Sequence, residues 1–174
     1  MDTDETKMDF TAEELALIPE LNTLSYRTLV EHIAKDMEAK TGIYYIVPII
    51  QSAHESRFGN SGLARKYCNL FGITATESWK SKGRPICFLP TFEYIKGKRV
   101  EMKREFRAYA SWRESFEDWA DLITRLNVYK TAYALLKDKS TVREGIREMA
   151  KSYASDPAYA KSLITLFDMV NTTV

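Results

Sequence analysis

Glu55 lies in the run Gln51-Ser-Ala-His-Glu-Ser-Arg-Phe-Gly59, near the C-terminal end of an apolar stretch that a glycine then breaks. Ile46, Ile49, Ile50 and Ala53 fall at helical spacing, so Tyr45 to about Phe58 is expected to form a well-buried helix. Pro48 would sit in its first turn, where a missing N–H costs little. The negative end of a helix dipole and burial both disfavour the charged carboxyl, so its pKa should rise. A carboxylic acid that holds its proton near neutral pH is what protonation of a leaving glycosidic oxygen requires. The same place also suits an ordinary surface glutamate at a helix end, and spacing by itself does not separate the two.

A second carboxylate, Glu93, falls on the first strand of a candidate β-hairpin. Glycoside hydrolysis commonly uses two carboxylates that flank the scissile bond. Glu93 also fits a solvated strand residue paired with a lysine across the turn. Among the aromatic side chains, 12% of the chain, Trp79, Tyr94 and Tyr153 could stack on sugar C–H faces or donate a hydroxyl. Phe58, Phe71, Phe106, Phe116 and Trp119 are assigned to packing. Cys68 and Cys87, with His32 and His54, do not form a metal-ligand spacing, and reduced thiols are preferred to a disulfide. Neither a metal nor a cofactor is expected.

The elements that must hold these groups follow from periodicity and punctuation. Leu29, Ile33 and Met37 predict a helix over Ser25–Lys40, with Ser25 as N-cap and Gly42 as its stop. Between about Asn69 and Tyr109 the texture changes to short alternating runs broken by Gly72, Gly83, Pro85, Pro90 and Gly97. Thr91, Glu93 and Ile95 share one face there, and Lys96-Gly97 reads as a tight hairpin turn. Helical spacing returns over Ser115–Leu126, Lys130–Lys137, Thr141–Ser152 and Pro157–Val170. The expected class is α+β and mainly helical, with residues 1–24 as an N-terminal arm holding at most a short helix, and 25–174 as the main domain.

With 174 residues the chain suits one domain, large enough to bury roughly 70% of its unfolded surface. Its 25 basic and 24 acidic residues leave no global charge to attract nucleic acid or an anionic membrane. No run approaches the roughly 20 apolar residues that span a bilayer. Met1-Asp-Thr-Asp-Glu is acidic and polar, unlike a secretion signal, so either cytoplasmic synthesis or an export segment upstream of this sequence is expected.

Several ordered blocks between about Gly42 and Asn171 resemble the glucosaminidases of glycoside hydrolase family seventy-three. They are Gln51-Ser-Ala-His-Glu-Ser-Arg-Phe-Gly59 with Ser61-Gly-Leu-Ala64, Asn69-Leu-Phe-Gly-Ile73, and Thr91-Phe-Glu-Tyr94 with Gly97-Lys98. Phe106-Arg-Ala-Tyr109, Ser115 with Asp118, and Tyr153-Ala-Ser-Asp-Pro-Ala-Tyr-Ala160 follow in the same order. The resemblance implies a lysozyme-like helical domain with a small β-hairpin lobe flanking a cleft. It implies hydrolysis of the β-1,4 bond after N-acetylglucosamine in peptidoglycan, by a monomer acting at the cell wall or periplasm. Carried over residue by residue, the general acid is Glu55, the second glutamate Glu93, and a tyrosine that positions the reacting sugar Tyr153. Asn69, Phe71, Trp79 and Tyr94 are implied to bind substrate. His54 and Arg57 occupy positions where members vary, and a charged His54 would lower the pKa of Glu55. A muramidase or lytic transglycosylase of the same fold, or a glycan-binding module without activity, are the alternatives.

Overall fold

In the computed structural model, which describes residues 10–172, a short helix α1 (Ala12–Leu15) precedes a long one, α2 (Thr23–Thr41). The N-cap of α2 is Asn22, not Ser25. Asn22 Oδ1 accepts from Ser25 N at 3.0 Å while Ser25 Oγ accepts from Asn22 N at 2.9 Å. Ser25 therefore completes a reciprocal capping box inside the first turn. Gly42 ends the helix as expected, in the left-handed conformation that a glycine adopts at no steric cost. The described part of residues 1–24 is packed against the helices: Phe10, Leu15 and Leu21 are all buried. Arg65 holds it there, donating to the carbonyls of Leu15, Ile18 and Pro19.

The apolar run forms α3 (Ile46–Ser56), in which every residue except His54 and Glu55 is buried. Arg57, Phe58 and Gly59 then adopt positive φ in succession, at 52°, 56° and 74°. Two non-glycine residues in that region cost about 1–2 kcal/mol each, so the surrounding contacts must hold this turn. Phe58 N donates to Ala53 O, Gly59 N to Ser56 Oγ, and Ser61 N to Ser56 O, each at 2.8–2.9 Å. Gly59 is required twice over, because a Cβ there would stand 2.6 Å from Cη2 of Trp112. Helix α4 (Gly62–Tyr67), capped by Ser61, follows at once, and α5 (Glu77–Ser81) is a single turn within the region expected to be irregular.

Strands β1 (Ile86–Ile95) and β2 (Lys98–Arg107) form the expected antiparallel hairpin, with Ile95 opposite Lys98. Lys96 and Gly97 both have positive φ, the pattern that lets a two-residue turn follow the twist of its strands. β2 is exposed from Lys98 to Arg104 and buried only at Arg107, so the hairpin stands away from the helices and is gripped at its base. There Arg107 N donates to Ile73 O and Ala75 N to Glu105 O, both at 3.0 Å.

Four later helices close the domain: α6 (Trp112–Arg125), α7 (Lys130–Leu136), α8 (Val142–Tyr153) and α9 (Tyr159–Asn171). α6 begins three residues before Ser115, since Ser111 supplies the cap and Trp112 is fully buried. Trp112, Phe116 and Trp119 of α6 meet Tyr26 of α2 and Phe71 at the centre of the core. Burying one side chain of this size contributes roughly 1.5–3 kcal/mol, so α6 anchors α2 and the loop after α4, while α3 packs mainly against α9 and α2.

Candidate active site

Glu55 occupies the last turn of α3, where the buried helix first meets solvent. Burial raises its pKa above the ordinary carboxylate range, against opposing effects from a Tyr159 hydrogen bond and the nearby His54. The sequence-based expectation of a raised value therefore holds, with desolvation as the main cause.

One oxygen of Glu55 is committed. The hydroxyl of Tyr159, at the start of α9, donates to Glu55 Oε1 at 2.6 Å. That hydroxyl in turn accepts from Gln51 Nε2 at 3.0 Å, and Gln51 Oε1 accepts from Trp119 Nε1 at 2.7 Å. An indole N–H can only donate, so the amide oxygen of Gln51 must face Trp119 and its NH2 must face Tyr159. The Tyr159 proton then has one place to go, toward Glu55. The chain from Trp119 through Gln51 and Tyr159 thus fixes Oε1 as an acceptor and leaves Oε2 outside the relay. Gln51 and Glu55 are four residues apart on one helix face, a local spacing that the sequence analysis did not read as a pair.

The Asn69–Ile73 block faces Oε2. Asn69 is buried, and its Nδ2 donates to Ile73 O at 3.0 Å and Arg107 O at 2.8 Å, while its Oδ1 accepts from Ile73 N at 3.2 Å. These bonds close the loop onto the end of β2. Gly72 adopts φ +64°, and a Cβ there would lie 3.5 Å from Glu55 Oε2. The glycine therefore leaves Oε2 of Glu55 uncovered. Phe71 is wholly buried, stacked on Trp119 with ring centroids 5.4 Å apart. Asn69 and Phe71, expected among the substrate-binding residues, instead shape the loop from beneath. Both are sealed from solvent by the core they pack into.

Tyr153, expected beside the reacting sugar, ends α8 and donates to Phe71 O at 2.8 Å. Its ring lies parallel to that of Tyr159 with centroids 6.2 Å apart. The tyrosine that touches Glu55 is Tyr159, the second one in the same sequence block. Trp79 is 7% exposed, donates to Pro85 O at 2.9 Å, and carries the guanidinium groups of Arg84 and Arg107 over its ring at 4.8 and 4.5 Å. Its ring is already covered, so it packs the hairpin base and offers little face to a sugar. The backbones of Glu93 and Tyr94 pair with Val100 and Arg99 on the hairpin, but their side chains lie outside the described residues. Among the described residues no group of His, Cys, Asp and Glu side chains could hold a metal ion. Cys68 and Cys87 are free and buried, and burial pushes the Cys68 thiol up to about 11.

Comparison with known proteins identifies the family. The family model of the glucosaminidases, described as mannosyl-glycoprotein endo-β-N-acetylglucosaminidase, matches residues 31–172. A probable N-acetylmuramidase from Lactococcus lactis subsp. cremoris is 34% identical over 87% of this chain and 35% of its own length. The peptidoglycan hydrolase FlgJ of Salmonella typhimurium is 30% identical over 75% of this chain and 41% of its own. The chain thus spans well under half the length of these curated relatives. Among solved structures, the catalytic domain of the autolysin Auto from Listeria monocytogenes superposes with a TM-score of 0.72 at 26% identity, covering 92% of each chain. The glycoside hydrolase domain of Salmonella typhimurium FlgJ, C-terminally truncated, gives 0.68 at 26% identity, over 87% of this chain and 99% of that one. The match over most of the chain means that the chain belongs to the glucosaminidase family of glycoside hydrolases.

Proposed function

We propose that this domain cleaves the β-1,4 bond after N-acetylglucosamine in peptidoglycan, with Glu55 as the general acid, and acts as a single chain at the cell wall or periplasm. The observation that carries this is the asymmetry of the Glu55 carboxyl: one oxygen is held by Tyr159, while the other opens toward Gly72, and burial raises the pKa of the group. As the glycosidic C–O bond breaks, the Glu55 proton passes from Oε2 to the leaving oxygen. The Tyr159 hydrogen bond then stabilises the carboxylate left behind. Attack at the anomeric carbon is supported by Glu93 or by the sugar's own acetamido group, the latter a known departure from the two-carboxylate scheme. Tyr153, stacked on Tyr159, and Tyr94 on the hairpin are the aromatic residues proposed to border the sugar.

Digestion of purified sacculi followed by mass spectrometry of the fragments tests the bond assignment. N-acetylglucosamine should carry the new reducing end. N-acetylmuramic acid in that position would make the domain a muramidase, as the name of the lactococcal relative suggests. An anhydro sugar would indicate a lytic transglycosylase, and no fragments at all a binding module.

Tyr159→Phe removes the donor to Oε1 and keeps the ring. The hydrogen bond lowers the Glu55 pKa, so its loss should raise that pKa further and move the alkaline limb of the pH–rate profile upward. Turnover should drop about tenfold, as expected when a hydrogen bond to a charged group is lost. An unchanged profile with unchanged turnover would remove Tyr159 from the mechanism.

A further inference from the structure

A groove of about 490 Å³ lies between α3 and α9. His54 and Arg57 line it from the α3 side, Lys161 and Ser162 from α9, over apolar surface that includes Phe58 and Leu166. No carboxylate is among its lining residues. Neither Arg57 nor Lys161 makes a side-chain ion pair or hydrogen bond among the described residues. Glu20 lines the adjoining groove, which Arg57 also borders, and makes no ion pair with it. His54 packs edge-on against the Tyr159 ring at 5.2 Å, and Tyr159 holds Glu55 from its hydroxyl end. One tyrosine therefore separates the cation-lined groove from the acid. The left-handed backbone at Arg57, locked by the turn after α3, gives that guanidinium a fixed origin at the groove's edge.

A glycan strand lying across Glu55 alternates its two sugars, so one sugar beside the cleaved bond bears a lactyl ether with a peptide stem. That stem leaves the strand sideways and carries free carboxylates. A guanidinium pairs with a carboxylate through two parallel hydrogen bonds, and an ammonium adds a point charge. We propose that the groove of His54, Arg57 and Lys161 receives the carboxylates of the stem peptide next to the cleaved bond, so that the domain prefers stem-bearing glycan to bare glycan. This rests on the peptidoglycan activity proposed above.

Soluble glycan strands with intact stems, and the same strands freed of stems by an amidase, provide the test. The wild-type protein should show a KM about tenfold lower for the stem-bearing strands, the scale of one charge-assisted contact. In Arg57→Gln/Lys161→Gln the two KM values should converge. Lys161→Glu, on an exposed helix position that bears no packing role, should favour the bare strands instead. Equal KM values for the wild type, or an undiminished preference in the variants, would overturn the stem-peptide site while leaving the hydrolase assignment standing. Failure to cleave either strand would overturn both. A preference that follows retained wall phosphodiester polymer, and persists without stems, would assign the groove to phosphate and overturn the proposal.

Discussion

Glu55→Gln is expected to slow the clearing of purified cell walls by about 10²–10⁴-fold, the usual contribution of a positioned general acid. The substitution is nearly isosteric, and an amide oxygen can still accept from the Tyr159 hydroxyl that now bonds Oε1. The relay back to Gln51 and Trp119 should survive, so what is lost is the proton alone. Stability should move the other way. Burial raises the Glu55 pKa, so between the unfolded value and the raised folded value the native state binds more protons than the unfolded state. Wild-type stability therefore falls as pH rises through that window and levels off above it. The glutamine variant lacks this loss. Its melting temperature relative to wild type should grow more positive as pH is raised from the ordinary carboxylate value through the raised folded one, and then level off. Near wild-type clearing by the variant would remove Glu55 as the acid. A melting difference that does not change with pH would contradict the desolvated carboxyl.

Asp118→Ala is expected to cost about 3–5 kcal/mol of folding stability, the range for removing one partner of a buried ion pair. Arg107 Nη1 donates to both oxygens of Asp118, at 3.0 and 2.8 Å, and the Tyr109 hydroxyl donates to Oδ2 at 2.6 Å. The two charged side chains are only 9% and 11% exposed. Alanine would strand a guanidinium and a phenol together in a space that water reaches poorly. The damage should spread, because Arg107 ends β2, donates to Thr74 O at 3.2 Å and lies over the Trp79 ring. It is the clasp between the hairpin base and α6. Asp118→Asn, which retains an acceptor, should recover part of the loss. Urea denaturation measures both, and a cost below about 1 kcal/mol for the alanine variant would mean that the clasp is not holding the hairpin.

Some residues that marked the family from sequence have roles that only the structure assigns. Ser115 and Asp118 belong to the matching blocks, yet both are structural here: Ser115 Oγ accepts from Leu70 N at 3.0 Å, and Asp118 grips the hairpin. Asn69 and Phe71 likewise work from beneath the site. A resemblance reports that a residue type recurs, without distinguishing a side chain that meets substrate from one that holds the wall in place.

The helices, the hairpin turn and the helix-end position of Glu55 were legible because each is decided locally. Apolar spacing from Ile46 to Ala53 identifies a helix buried almost all round, Gly42 its predecessor's stop, and Lys96-Gly97 a two-residue turn. A glutamate at the open end of such a helix is desolvated wherever the helix packs, so the raised pKa of Glu55 could be anticipated from sequence. Its partner could not. Tyr159 is 104 residues away, and nothing within its own segment distinguishes it from Tyr153. Which of the two reaches the acid depends on how α8 and α9 pack against α3, through burial that has no direction of its own until the whole core is assembled. The same packing turned Trp79 from a candidate sugar platform into a covered ring, and set His54, Arg57 and Lys161 along one groove from two helices. Sequence alone determined that a desolvated glutamate would stand at the end of α3, and the tertiary structure decided which of its oxygens Tyr159 holds.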